Sequence, residues 1–109
     1  MEYTFTAAIF EEEVLHSEIP VLVDFYADWC GPCKQVAPIL RDLAILYKND
    51  IVVYKVNEDK EKELAAAFGI QSIPTFLFIP KEGQPQISMG ALPREEFVKQ
   101  IDTFLLKKK

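Results

Sequence analysis

The stretch Trp29-Cys30-Gly31-Pro32-Cys33 holds both cysteines of the chain, separated by two residues. It follows the run Val21-Leu22-Val23-Asp24-Phe25-Tyr26, which is apolar except at Asp24 and is typical of a strand buried on both faces. The residues after it have helical periodicity. A strand therefore delivers two thiols to the first turn of a helix, where they can close a small disulfide ring. This arrangement predicts a redox site.

The start of a helix favours the ionised form of a cysteine placed there. Unpaired backbone N–H groups and the helix dipole stabilise negative charge, and the thiolate is the nucleophilic form of the side chain. Cys30 is therefore the candidate nucleophile. Cys33 lies one turn further into the helix, so we expect it to be less exposed and to act as the resolving thiol. Pro32 suits the first helical turn, where its missing N–H is not needed.

The composition is that of an ordinary globular protein, and we expect residues 1–109 to form a single domain. Twelve Lys and Arg against 17 Asp and Glu give a net charge of −5, which argues against a nucleic-acid partner. No apolar run approaches the roughly 18 residues of a membrane span. The first residues lack the features of a secretory signal, so we expect a cytoplasmic protein. A periplasmic protein is the alternative, if a signal peptide has been removed.

Strand and helix patterns alternate along the chain. Besides the central run, the pattern predicts strands at residues 3–5, 51–56, 75–79 and 86–89. It predicts helices that begin after Thr6, at the cysteine pair, at Glu61 and at Pro93. Pro38 is expected to kink the second helix, and Gly69 is well placed to end the third. This order predicts an α/β fold with a mixed central sheet and helices on both faces.

The segment from Asp24 to Lys34 resembles the active-site signature of the thioredoxin family. The family's other landmarks also fall in order, at Pro38, Gly69-Ile70, Ile73-Pro74-Thr75 and Gly90-Ala91. The resemblance covers essentially the full chain and implies a thioredoxin fold, with a five-stranded mixed sheet flanked by four helices. It implies a protein-disulfide reductase that needs no separate cofactor. Its partners would be protein disulfides and thioredoxin reductase, an NADPH-linked flavoenzyme, or another thiol donor.

Asp24 is the most informative residue outside the cysteine motif. A buried carboxylate is costly in its charged form, and the two aromatic residues that follow indicate that the strand continues past it. We interpret it as a proton acceptor for the Cys33 thiol, the alternative being a strand-end Asp bonded to the backbone. Lys55 resembles the family lysine that neighbours this carboxylate and tunes it. The alternative is a surface lysine whose stem packs along the sheet.

The resemblance also implies a docking surface for substrates. Its apolar rim around the first cysteine would consist of Trp29, Ile73, Gly90 and Ala91. Taken singly, each of these could be plain packing. The bond before Pro74 would be cis and would pack against the disulfide, leaving the backbone of Ile73 to pair with an extended substrate. Gly31 and Pro32 would favour a reductant by tuning the stability of the thiolate.

Other functions remain open at this level. A structural zinc site needs four N or S ligands, and the chain offers two Cys and the distant His16, so we expect no metal. The segments 84–92 and 104–108 resemble a branch that includes exported, periplasmic thioredoxins, which favours the periplasmic alternative. A periplasmic disulfide oxidant or isomerase, with the same fold and a less reducing potential, is one alternative function. A binding subunit with incidental redox chemistry is another. Nothing in the sequence indicates more than a monomer.

Overall fold

A mixed sheet forms the centre of the computed structural model, which describes residues 2–4 and 11–108. Within these ranges, five strands are present: β1 Glu2–Thr4, β2 Val21–Tyr26, β3 Val52–Asn57, β4 Thr75–Ile79 and β5 Gln86–Met89. Their spatial order is β1-β3-β2-β4-β5. β1 and β2 run parallel to β3, whereas β4 is antiparallel to both β2 and β5. The predicted α/β class and mixed sheet are confirmed.

Helical segments cover the two faces of the sheet. They are α1 Glu11–Leu15, which is a π-helical turn, α2 Gly31–Leu46, α3 Lys62–Ala67, and α4 Arg94–Gln100, which continues as a π-helical turn at Ile101–Leu105. Thr6, the predicted cap of the first helix, lies outside the described residues. Pro38 lies inside α2, and a kink there stays a prediction. In the ranges described, no helix combines the length and the apolar character that crossing a membrane requires.

Strand β2 supplies side chains to the cores on both sides of the sheet. Leu22 packs in the cluster with α2 and α4, whereas Val23 packs in the cluster that includes residues of α1 and α3. Successive side chains of a strand point to opposite faces, so Asp24 lies on the same face as Leu22. The face that carries Asp24 is therefore the one covered by α2, the helix that begins at the cysteine pair.

Aromatic residues dominate the core between the sheet and α4. The rings of Phe76 and Phe97 meet edge to face with centroids 4.8 Å apart, and those of Phe78 and Phe104 meet in the same way at 5.4 Å. Phe76, Phe78 and Phe97 are fully buried. Burial of each such side chain contributes about 1.5–3 kcal/mol, so this face is a main source of the fold's stability.

Gly69 ends α3 in the way that the sequence predicts. Its φ angle of +69° lies in the left-handed region, which glycine adopts without steric cost. The Gly69 N–H donates to the Ala66 carbonyl at 3.0 Å, and the Ile70 N–H donates to the Ala65 carbonyl at 2.9 Å. The last carbonyls of the helix are thereby satisfied, and the chain turns towards the loop before β4.

Candidate active site

The cysteine pair lies at the junction between the end of β2 and the start of α2. The Cys30 N–H donates to the Ala27 carbonyl at 3.2 Å, which closes the turn between the two elements. Cys30 then occupies the N-cap position of α2, and its Sγ accepts the backbone N–H of Cys33 at 3.2 Å. Pro32 lies in the first turn, as predicted. Cys30 and Cys33 are joined by a disulfide with their Cα atoms 5.3 Å apart, so this is the oxidised form of the pair.

The two cysteines do not differ in exposure as expected. Cys30 is 3% exposed and Cys33 is 5% exposed, so the prediction that Cys33 is the less exposed of the two is wrong. Both pack in a small cluster with Ala27, against which Tyr26 and Ile73 are placed. In the disulfide form, both residues therefore belong to one buried cluster. In the oxidised form, exposure therefore does not distinguish a nucleophile from a resolving thiol.

A cavity beside the disulfide does distinguish the two cysteines. Its volume is about 160 Å³, and its walls are formed by Asp24, Tyr26, Ala27, Asp28, Cys33, Lys34, Ala37 and Lys55. Cys33 lines this space together with the carboxylate of β2, whereas Cys30 is not among its walls. Such a volume holds water, whose share of the liquid is about 30 Å³ per molecule, and the lining is polar enough to bind it. Cys33 is thus the cysteine that shares a cavity with a carboxylate.

The sheet register explains why Asp24 and Lys55 share the cavity. Asp24 of β2 is paired directly with Lys55 of β3, so both side chains leave the sheet on the same face. Asp24 is 2% exposed, and Lys55 is half-buried. The Lys55 Nζ lies 4.4 Å from the centroid of the Tyr26 ring, a cation–π arrangement. The lysine therefore contacts Tyr26 while it lines the cavity, and its influence on Asp24 stays a prediction.

The loop before β4 closes the other side of the site. The Ile73–Pro74 peptide bond is cis, and the Pro74 carbonyl accepts the N–H of Gly90 at 2.8 Å. Ile73 packs against the cluster that contains both cysteines. The bond from Gly90 ties the end of β5 to this loop, which brings Ile73, Gly90 and the exposed Ala91 to one region of the surface.

Trp29 is held by a residue that sequence reasoning missed. Its indole Nε1–H donates to the Asp59 carboxylate at 2.7 Å, while 68% of the Trp29 side chain stays exposed. The buried Asn57 side chain accepts the backbone N–H groups of Asp59 and Lys60, at 3.0 and 3.3 Å, and so fixes the turn that presents Asp59. An Asn at the end of a strand is a turn signal, but nothing local indicates that this turn faces residue 29.

Comparison with known proteins identifies the family of the chain. The thioredoxin family model matches residues 2–103, which is most of the chain. The chain belongs to the thioredoxin family. A thioredoxin of Borreliella burgdorferi is 48% identical over 85 residues, covering 78% of this chain and 73% of that protein. Thioredoxin 1 of Synechococcus elongatus is 46% identical over 101 residues, covering 92% and 94%. An M-type chloroplastic thioredoxin of Spinacia oleracea is 43% identical over 95 residues, covering 87% and 52%.

Family membership and the cysteine pair together establish the activity. The chain is a thiol–disulfide oxidoreductase that reduces protein disulfides through the Cys30–Cys33 dithiol and a mixed-disulfide intermediate. Thioredoxins carry out this exchange with their own cysteines and use no separate cofactor. Protein disulfides and thioredoxin reductase are the usual partners of the family. In the described part of the chain, His, Cys, Asp and Glu side chains form no group that could hold a metal ion.

Proposed function

We propose that Cys30 attacks the substrate and that Cys33 resolves the intermediate. The Cys30 thiolate attacks one sulfur of the substrate disulfide, so a mixed disulfide forms and the other substrate sulfur leaves as a thiolate. Cys33, once deprotonated, attacks the Sγ of Cys30 and expels the second substrate thiolate. Two electrons pass from the dithiol to the substrate, and the protein returns to the disulfide form described above.

The observation that carries this assignment is the cavity shared by Cys33 and Asp24. Resolution requires loss of the proton of Cys33, a residue that is only 5% exposed and lines this cavity. Asp24 is the carboxylate in the wall of the same space and accepts this proton, directly or through water in the cavity. Lys55, paired with Asp24 across the sheet, tunes the charge of that carboxylate.

The substrate docks on the surface around the disulfide. Trp29, Ile73, Gly90 and Ala91 form its rim, and the backbone of Ile73 beside Pro74 pairs with an extended substrate segment. The bond from Gly90 to the Pro74 carbonyl supports this proposal because it holds both sides of the rim together. Gly31 and Pro32 are both exposed between the cysteines, and they set the stability of the thiolate and hence the reducing potential.

Three variants test the separate roles proposed for Cys30, Cys33 and Asp24. Cys30→Ser is expected to lose reduction of a protein disulfide such as insulin by more than about a thousandfold, because the remaining Cys33 thiol is the proposed resolving thiol and has no partner with which to complete the exchange. Cys33→Ser is expected to attack normally and to accumulate the mixed disulfide, which mass spectrometry of the non-reduced protein detects. Asp24→Asn keeps the shape of the side chain and is expected to slow resolution by roughly 10- to 100-fold.

The matched comparison is the rate of attack against the rate of resolution. Asp24→Asn should leave the first rate close to that of the unmodified protein and lower the second. A mixed disulfide that accumulates with Cys30→Ser instead of Cys33→Ser would reverse the assignment. Equal slowing of both steps in Asp24→Asn would show that the carboxylate acts on the whole site and not on the Cys33 proton.

The proposed electron donor is thioredoxin reductase, the NADPH-linked flavoenzyme that serves the family, and the proposed form is a single-domain cytoplasmic monomer.

A cytoplasmic reductant needs a low reduction potential. Thioredoxins are themselves the reference case for about −270 mV, a value known for the family and not calculated from this structure. Equilibration with a dithiothreitol series measures the potential. A value nearer the roughly −120 mV of strong periplasmic oxidants would exclude the reductant reading and favour the periplasm.

A further inference from the structure

Met89 stands out among the exposed side chains near the disulfide. It is the last residue of β5, and 69% of its surface is exposed, much like the 68% of Trp29. The chain has two methionines, and the other is Met1, which lies outside the described residues. A flexible apolar thioether exposed to this extent contributes little to the core. A role for this side chain is therefore to be sought on the surface where it lies.

The backbone places Met89 at the edge of the proposed docking surface. It is paired with Thr75, the residue that follows Pro74. The next residue, Gly90, donates its N–H to the Pro74 carbonyl at 2.8 Å, and Ile73 packs against the cysteine cluster. Met89 therefore directly precedes the residue that ties the end of β5 to the loop beside the disulfide.

Among the described residues, Met89 carries the one sulfur that is not part of the disulfide. Both cysteines are consumed in the disulfide, and the described residues contain no free cysteine. A peroxide therefore meets no thiolate on this surface, whereas the thioether of Met89 is open to solvent. Oxidation of methionine converts an apolar side chain into a polar one.

We propose that Met89 is an oxidation site for peroxides and that its sulfoxide weakens the docking of protein substrates. Hydrogen peroxide transfers one oxygen atom to Sδ: the S–O bond forms, the O–O bond breaks, the sulfur loses two electrons and the peroxide is reduced to water. The cysteines take no part in this step. The consequence for substrates rests on the docking surface proposed above, because the sulfoxide places a strongly polar group on its apolar edge.

The test oxidises the full chain while its cysteines are protected as the disulfide. The protein is treated with hydrogen peroxide, the peroxide is removed with catalase, and peptide mass spectrometry measures the oxygen added at Met89. The KM for insulin is then measured with dithiothreitol as the electron donor and is expected to rise by roughly three- to tenfold. Reduction of a small aromatic disulfide, which needs little docking surface, is expected to keep its rate.

Two variants separate Met89 from every other effect of the peroxide. Met89→Leu has a similar volume and no thioether, so its treated and untreated forms should have the same KM. Met1 is present in this variant and in the parent protein, so the difference between them reports on Met89. Met89→Gln carries a polar group of similar length, and its KM should be raised without any peroxide.

Complete oxidation of Met89 with an unchanged KM for insulin would overturn the proposal and leave the reductase mechanism intact. An equal loss in treated Met89→Leu would overturn it as well, since the damage would then lie elsewhere. A rise in KM for the small disulfide equal to that for insulin would show that the cysteine chemistry had changed and not docking. Failure of the untreated protein to bind insulin by this surface would overturn the proposal together with the docking function on which it rests.

Discussion

Two neighbouring residues on one face of β2 build very different regions. Leu22 is fully buried in the cluster beneath α2 and α4, which we call the helix-side core. Asp24, two residues further on, lies on the same face beside the cavity of about 160 Å³ at the start of α2, which we call the redox corner. The first region is filled with apolar side chains, whereas the second contains a buried carboxylate and open volume.

The difference shows that the redox corner lowers the stability of the fold. Protein cores are packed as densely as organic crystals, and a buried charge or a cavity lowers the free energy of unfolding. The helix-side core carries the aromatic pairs and contributes stability. In the proposed mechanism, the polar groups and the space of the redox corner serve proton transfer to and from Cys33. Substitutions in the two regions should therefore change stability and activity in opposite proportions.

Phe97→Ala should have the largest effect on stability. Phe97 is fully buried and meets the ring of Phe76 at 4.8 Å, so truncation leaves a cavity and is expected to lower the free energy of unfolding by about 3–5 kcal/mol. Urea denaturation measures this free energy. The folded fraction of Phe97→Ala should reduce insulin at the same rate per molecule as the parent protein. A loss of turnover larger than the loss of folded protein would show that the two regions are not separable.

Asp24→Leu should act in the opposite sense. Replacing the buried carboxylate by an apolar side chain of similar size is expected to raise the free energy of unfolding by about 1–3 kcal/mol. The same substitution removes the proton acceptor, so turnover with insulin should fall. Urea denaturation of the oxidised form measures the stability, with Asp24→Asn as the control of similar shape. A destabilised Asp24→Leu protein would mean that the carboxylate belongs to the structural core.

Tyr47→Phe tests the polar edge of the helix-side core. The Tyr47 hydroxyl donates to the Asp102 carboxylate at 3.2 Å, and its loss is expected to cost about 0.5–1 kcal/mol. Burial, followed by the negative charge of Asp102, raises the pKa of Tyr47 above its usual value of 10.0. Because the folded-state pKa is the higher one, this stabilisation is complete below about pH 10 and is lost as the pH rises through the folded-state pKa.

The pH dependence of stability distinguishes the hydrogen bond of the Tyr47 hydroxyl from the packing of its ring. Urea denaturation at pH 7 should show the parent protein to be more stable than Tyr47→Phe. The gap should shrink as the pH is raised above 10, because the unfolded parent then loses the Tyr47 proton more readily than the folded parent, in which the hydroxyl faces the Asp102 carboxylate. A gap that is the same at both pH values would contradict the role given to Asp102. Insulin turnover at pH 7 should be equal in the two proteins, since Tyr47 is remote from the cysteine cluster in both packing and sequence.

Asp59→Ala should have the smallest effect on stability and a clear spectroscopic one. Trp29 is the only tryptophan of the sequence, so its fluorescence reports on the bond from its indole N–H to Asp59. Because the pair is exposed, the free energy of unfolding should fall by less than about 1 kcal/mol. Asp59→Asn keeps an acceptor oxygen and is the matched control. Identical emission from all three proteins would show that Asp59 does not hold the indole.

The local part of this structure could be predicted from the sequence. The cysteine pair at the start of α2 follows from an apolar strand meeting a helical pattern, and the stop at Gly69 follows from its conformational freedom. The mixed sheet follows from the order of strand and helix patterns. Each of these depends on residues close together in the chain, so its physical cause is visible in a short window.

Only the tertiary structure decided how the redox corner is assembled. The parallel register of β2 and β3 places Lys55 opposite Asp24, and the packing of α2 over that face joins the pair to Cys33 in one cavity. Both cysteines are almost fully buried in the cluster against which Ile73 packs, against the sequence expectation that Cys33 is the less exposed. The bond between Trp29 and Asp59 spans 30 residues. Such contacts are set by which strands pair and which helix covers them, and no local pattern carries that information.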